Sequence, residues 1–166
     1  MADLARLFRH LFMPDAVSRF GSDDMDRIAA AIAAGEARHR GEICFAVEGG
    51  LDFREVLRGV QARDRALDAF GRLKVWDTSA NNGVLIYLLL ADHRIEIVAD
   101  RGLDALVSAE QWRGVCTLME GRLRDDHHTD AVVAGIEAAS DILASHFPQR
   151  EGEVDIDELP NRPHLL

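Results

Sequence analysis

Apolar positions along the chain change their period several times, and each change marks an element. Over residues 3–12, Leu4, Leu7, Phe8, Leu11 and Phe12 recur three or four apart, with Arg6, Arg9 and His10 between them. This spacing predicts a short amphipathic helix, ended by Met13-Pro14, that docks onto the domain; the alternative is an interfacial membrane anchor, for which ten residues is short. A second helix follows, with Ser22 as a fitting N-cap and Asp23, Asp24 and Asp26 near its positive end. Met25, Ile28, Ala29 and Ile32 point inward, and Arg38-His39-Arg40-Gly41 closes it. Glu42 to Glu48 is apolar on both faces between acidic ends, the pattern of a strand covered from both sides. Residues 53–76 read as helix in two pieces, broken near Gly59 and closed at Trp76.

The central pair comes next. Val84 to Leu90 is a buried strand, Ala91 to Arg94 a turn, and Ile95 to Val98 a second strand antiparallel to the first. Ser108 and Gln111 stand three apart as a capping box, opening a helix that runs to about residue 123. Thr129 caps a last helix, whose Val132, Val133, Ile136, Ile142, Leu143 and Phe147 are inward-facing. From Gln149 onward, acids alternate with few apolar residues, and the expectation is a loosely draped tail. Strands joined by helices give an α/β fold, a mixed sheet with helices on both faces.

Composition narrows the partners. The chain has 166 residues and a formal net charge of −10, which repels phosphate backbones and anionic lipid, so nucleic acid is not expected as a partner. The longest apolar run, Val84 to Ala91, is too short to cross a bilayer, so no direct membrane span is expected. Cys44 and Cys116 sit in apolar runs without a C-x-x-C pair, and read as small buried thiols suited to a reducing compartment. With no secretory signal pattern, the expected location is cytoplasmic.

The chain contains no G-x-S-x-G elbow, Walker A loop, G-x-G-x-x-G or H-E-x-x-H, so no catalytic residue is assigned. Two clusters could hold a cation. Asp125-Asp126-His127-His128-Thr129-Asp130 is a run of oxygen and imidazole ligands in a turn, although adjacent residues seldom converge on one centre. The second cluster is distributed over Glu48, Asn81-Asn82-Gly83 and Asp100-Arg101-Gly102-Leu103-Asp104. Asn81, Asn82, Asp100 and Asp104 offer amide and carboxylate oxygens suited to a hard cation such as calcium. If the first two strands run parallel, Glu48 lies at the opposite sheet edge; if antiparallel, at the same one. The glycines read equally as turn residues that permit positive φ.

The run Asn81-Asn82-Gly83-Val84-Leu85-Ile86, then Arg94-Ile95-Glu96-Ile97, Asp100-Arg101-Gly102-Leu103 and Trp112, resembles the TPM domain, with Gly135-Ile136, Leu143 and Phe147-Pro148 in keeping. The resemblance covers roughly residues 22–148. It implies a three-layer α/β/α sandwich around a small mixed β-sheet. It divides the chain into an N-terminal amphipathic helix (1–14), a TPM-like domain (15–148) and an acidic C-terminal tail (149–166). Calcium binding and acid phosphatase activity have been claimed for some plant members, and by position Asn82, Gly83, Gly102 and Asp104 match the family's Asn-Gly and Gly-Leu-acidic elements. Asn81 stands where an aspartate is common and Asp100 where many members have glycine. The functional expectation is a binding or accessory module that takes a divalent cation and acts with a membrane protein partner. The alternative is a metal-assisted acid phosphatase on phosphomonoesters, with Asp100 and Asp104 holding the ion.

Overall fold

Four strands form one sheet in the order β3-β2-β1-β4. In the computed structural model, which describes residues 4–124, 127–152 and 156–166, β1 (Glu42–Glu48) and β2 (Gly83–Leu89) are buried at every position. Burial on both faces explains why their sequences do not alternate. They run parallel, Glu42 opposite Gly83 and Glu48 opposite Leu89. β3 (Arg94–Ala99) returns antiparallel to β2 through a tight turn in which His93 takes φ 48°. The tail departs from the loose segment expected of it: β4 (His164–Leu165) pairs parallel with β1 opposite Ala46 and Val47. Leu159 is buried on the way there.

The helices make two outer layers, giving the α/β/α sandwich. On one face, α2 (Ala16–Arg19), α3 (Ser22–Glu36), α6 (Ala109–Leu123) and α7 (His128–His146) cover Ile43, Phe45, Val84, Ile86 and Ile97. On the other, α4 (Phe53–Leu57) and α5 (Ala62–Arg72) cover Cys44, Ala46, Leu85, Tyr87 and Val98. The break near Gly59, at φ 74°, separates α4 from α5. Ser108 accepts from the Gln111 amide, and Gln111 reaches back to the Ser108 amide, closing the capping box of α6.

Two caps differ from expectation. Ser22 lies inside α3; Gly21 is the N-cap, and its amide donates to Asp24. Thr129 lies inside α7, and its hydroxyl donates to Asp24 at 2.8 Å, tying α7 to α3 instead of capping.

The N-terminal helix α1 (Leu4–Phe12) docks onto the domain as expected, but by its polar face. Arg6 donates to both oxygens of Asp92 and to the Val60 carbonyl, and His10, buried, bonds Asp92 at 3.0 Å. The Leu51 amide donates to His10 Nδ1, so the ring proton sits on Nε2, facing Asp92. Burial raises the Asp92 carboxyl, but the bonds from Arg6 and His10 outweigh it and hold the group below the usual range. A charged anchor therefore overrides the apolar pattern: Leu7 packs inward, while Leu4, Phe8, Leu11 and Phe12 stay exposed.

Candidate acidic site at one sheet edge

Because β1 and β2 are parallel, Glu48 lies at the edge opposite Asn81, Asn82 and Asp100. It is not available as a ligand there. Arg65 grips both its oxygens, at 2.6 and 3.1 Å, and the buried Tyr87 hydroxyl donates to it. Burial and the neighbouring Glu48 carboxylate push the Tyr87 phenol well above its ordinary value. This buried set closes on itself as a structural network.

Asn81, Asn82 and Asp100 do share one edge, each with a backbone task. Asn81 takes φ 51°, accepts the Gly102 amide at its carbonyl, and receives Arg101 Nε at Oδ1 at 3.3 Å. Asn82, 2% exposed, donates its side-chain amide to the Arg40 carbonyl and its backbone amide to Thr78 Oγ1, leaving Oδ1 buried without a partner. Asp100 caps the short 3-10 turn at Arg101–Leu103 by accepting the Arg101 amide at 2.7 Å, and its other oxygen is likewise buried without a partner. Asp104 is exposed and lines a separate cleft of about 800 Å³ with Ala99, Val107 and Trp112.

The glycines differ from the turn reading. Neither Gly83 nor Gly102 has positive φ. A methyl group at Gly83 would strike the Val75 carbonyl, and one at Gly102 the Asn81 carbonyl. Close backbone approach, not left-handed geometry, requires them.

The same edge holds three acids that the sequence pattern did not single out. Glu36 at the end of α3, Glu42 at the start of β1 and Asp157 in the tail bring ligand oxygens within 4.8 Å of one another. Glu42 is 3% exposed, and its carboxylate accepts the amides of Glu158 and Leu159, at 3.3 and 3.2 Å, so it also moors the tail. Its own amide donates to the Asn82 carbonyl, which joins this cluster to the expected one. Burial pushes the Glu36 carboxyl up to about 8; the Ile43 amide opposes this, while Glu42 and Asp157 add to it. Asn161 bonds Glu36 and keeps Oδ1 buried without a partner.

Three crowded carboxylates resolve their repulsion either by holding a proton or by holding a cation. All the donors are oxygens, which suits a hard divalent cation more than zinc. The one legible signal was Glu42, an acid opening a strand buried on both faces. Glu36 and Asp157 are brought to it only by tertiary structure.

Of the run at 125–130, Asp125 and Asp126 lie outside the described residues, as do the tail acids Glu153 and Asp155. His127 and Asp130 are exposed, and Arg27 pairs with Asp130 at 2.7 Å. Both cysteines are free. Burial and Glu36 push the Cys44 thiol up to about 12, which leaves it protonated and inert. No helix among the described residues is long and apolar enough to cross a membrane.

Residues 15–142 match the family model of the TPM domain. Among solved structures, the chain is similar to the BA42 protein from the psychrophilic bacterium Bizionia argentinensis sp. nov., with 31% identity and a TM-score of 0.76. That likeness covers 87% of this chain and 94% of the other. The N-terminal domain of a protein from P. gingivalis shares the fold at 16% identity and a TM-score of 0.65, over 88% of this chain and 87% of that one. None of the curated proteins matches the chain.

Proposed function

This chain belongs to the TPM domain family, and we propose that it is a divalent-cation-binding accessory module that works with a membrane protein partner in the cytoplasm. The ion is held by Glu36, Glu42 and Asp157, with Asn161 as a neutral oxygen donor. The single observation that supports this reading is the gathering of three carboxylates within 4.8 Å, one of them buried at the head of a strand. Burial does most to keep the proton on Glu36, and the part that Glu42 and Asp157 add is the charge an incoming cation neutralises. Asn82 and Asp100, with their unpartnered buried oxygens, extend the same edge as the expected calcium ligands. Asp104, exposed on its own cleft, drops out of this set.

Calorimetry with calcium, magnesium and zinc tests the ion. The expected result is heat with calcium or magnesium that disappears in Glu42→Gln, and absence of heat with all three metals sinks the reading. A phosphomonoester assay on wild type and Asp100→Ala addresses the phosphatase alternative, and metal-dependent turnover lost on substitution would replace a binding role with a catalytic one. Capture from solubilised membranes, with and without the ion, tests the partner.

A further inference from the structure

Helix α1 turns its charged side inward and its apolar side to water, the reverse of a packed amphipathic helix. Leu4, Phe8, Leu11 and Phe12 are 54–72% exposed, and the rings of Phe8 and Phe12 stack with centroids 6.0 Å apart. α1 packs along α4, which leaves Phe53 and Leu57 about half exposed as well. Two adjoining helices thus present six large apolar side chains to solvent, more than scattered surface residues account for.

The charges around this face are cationic. Arg9, Arg54 and Arg58 are exposed, Arg9 also pairing with Asp92 at 3.5 Å, and α1 contains no acidic residue between Leu4 and Phe12. The acids of α4 already have partners: Asp52, exposed, caps the helix by accepting the Arg54 and Glu55 amides, and Glu55 pairs with Arg65. In a chain of net charge −10 this is a local inversion. The crowded carboxylates lie at the other end of β1, seven residues or about 20 Å away. That distance is beyond the screening length of about 8 Å at physiological salt, so the rim acts on its surroundings independently of them.

We propose that the α1–α4 face seats on an anionic lipid surface, its leucines and phenylalanines entering the headgroup–acyl boundary while Arg9, Arg54 and Arg58 meet the phosphates. Charge complementarity selects this occupant over a second copy, which would set one cationic rim against another. Nine residues is short for an interfacial helix, since isolated helices below about 12–15 residues are marginal in water. Here the Arg6 and His10 bonds to Asp92 have already fixed the helix, so the lipid need not supply its folding.

Flotation of the full chain with phosphatidylcholine vesicles, with or without phosphatidylglycerol, tests this. It is run with chelator present, so the result is independent of the acidic site. The expected outcome is partitioning onto the anionic vesicles that drops about tenfold in Phe8→Asp/Phe12→Asp and in Arg54→Glu/Arg58→Glu, and weakens with added salt. The substituted side chains are exposed, so far-ultraviolet circular dichroism should show both variants folded. Equal partitioning onto neutral vesicles, no partitioning, or partitioning unchanged in the phenylalanine variant each overturns the proposal. So does a dimer by light scattering that Phe8→Asp/Phe12→Asp dissolves while vesicle binding is absent, which would give the face to a second copy.

Discussion

Glu36 is where the chemistry of single residues is most exposed to test. Burial pushes its carboxyl up to about 8 in the folded chain, from an ordinary value of 4.5. Between those values the folded state holds a proton the unfolded state has released, so stability falls as pH rises across that window. Glu36→Gln keeps an acceptor for the Ile43 amide and removes the titration, so urea midpoints measured from pH 5 to about 8 should flatten and end higher than wild type. A variant with the wild-type slope would place the titration elsewhere. Added cation competes with the same proton, so calcium affinity should climb over this range in wild type. Gly102→Ala should cost about 1–3 kcal/mol by chemical denaturation, because the new methyl meets the Asn81 carbonyl and backbone cannot step aside cheaply. At this scale the sequence showed which residues form the turn but not why: Asn81 takes the positive φ, and the glycines make room for carbonyls.

Among elements, those with strong local signals were legible. The unbroken apolar runs of β1 and β2, the split between α4 and α5, and the Ser108–Gln111 box depend on neighbours in sequence. What escaped depends on distant ones. The Arg6 partner lies 86 residues away, so nothing within 4–12 reveals that the polar side faces in. β4 is two residues long and exists because β1 offers it an edge. The candidate site shares this fate, since Asp157 reaches Glu42 only after the tail has docked through the Glu158 and Leu159 amides. A chain ending at Gly152 should therefore lose the heat of cation binding. It should also lose about 2 kcal/mol of stability from the burial of Leu159 alone. Its uncovered β1 edge should promote association, visible by light scattering. Cation heat undiminished in the truncated chain would show that the tail is no part of the site.

Across the whole molecule, the sheet separates two kinds of surface. Carboxylates gather where β1 begins, and the arginine-rimmed apolar face lies beyond where β1 ends. A cation bound at the first end stabilises only the folded form, so calcium at a hundred times its dissociation constant should add about 2.7 kcal/mol. For a chain of this size that raises the melting temperature by about 5–10 °C, and an unchanged melting curve would count against the site. The mooring of β4 also bears on biosynthesis. Residues 156–166 leave the ribosome after everything they dock against, at about 5–20 residues per second. Until they arrive, the domain can assemble its helices and three strands but not its third carboxylate. The nascent chain thus passes through a metal-blind form that lasts until the tail has docked on β1 and Glu42.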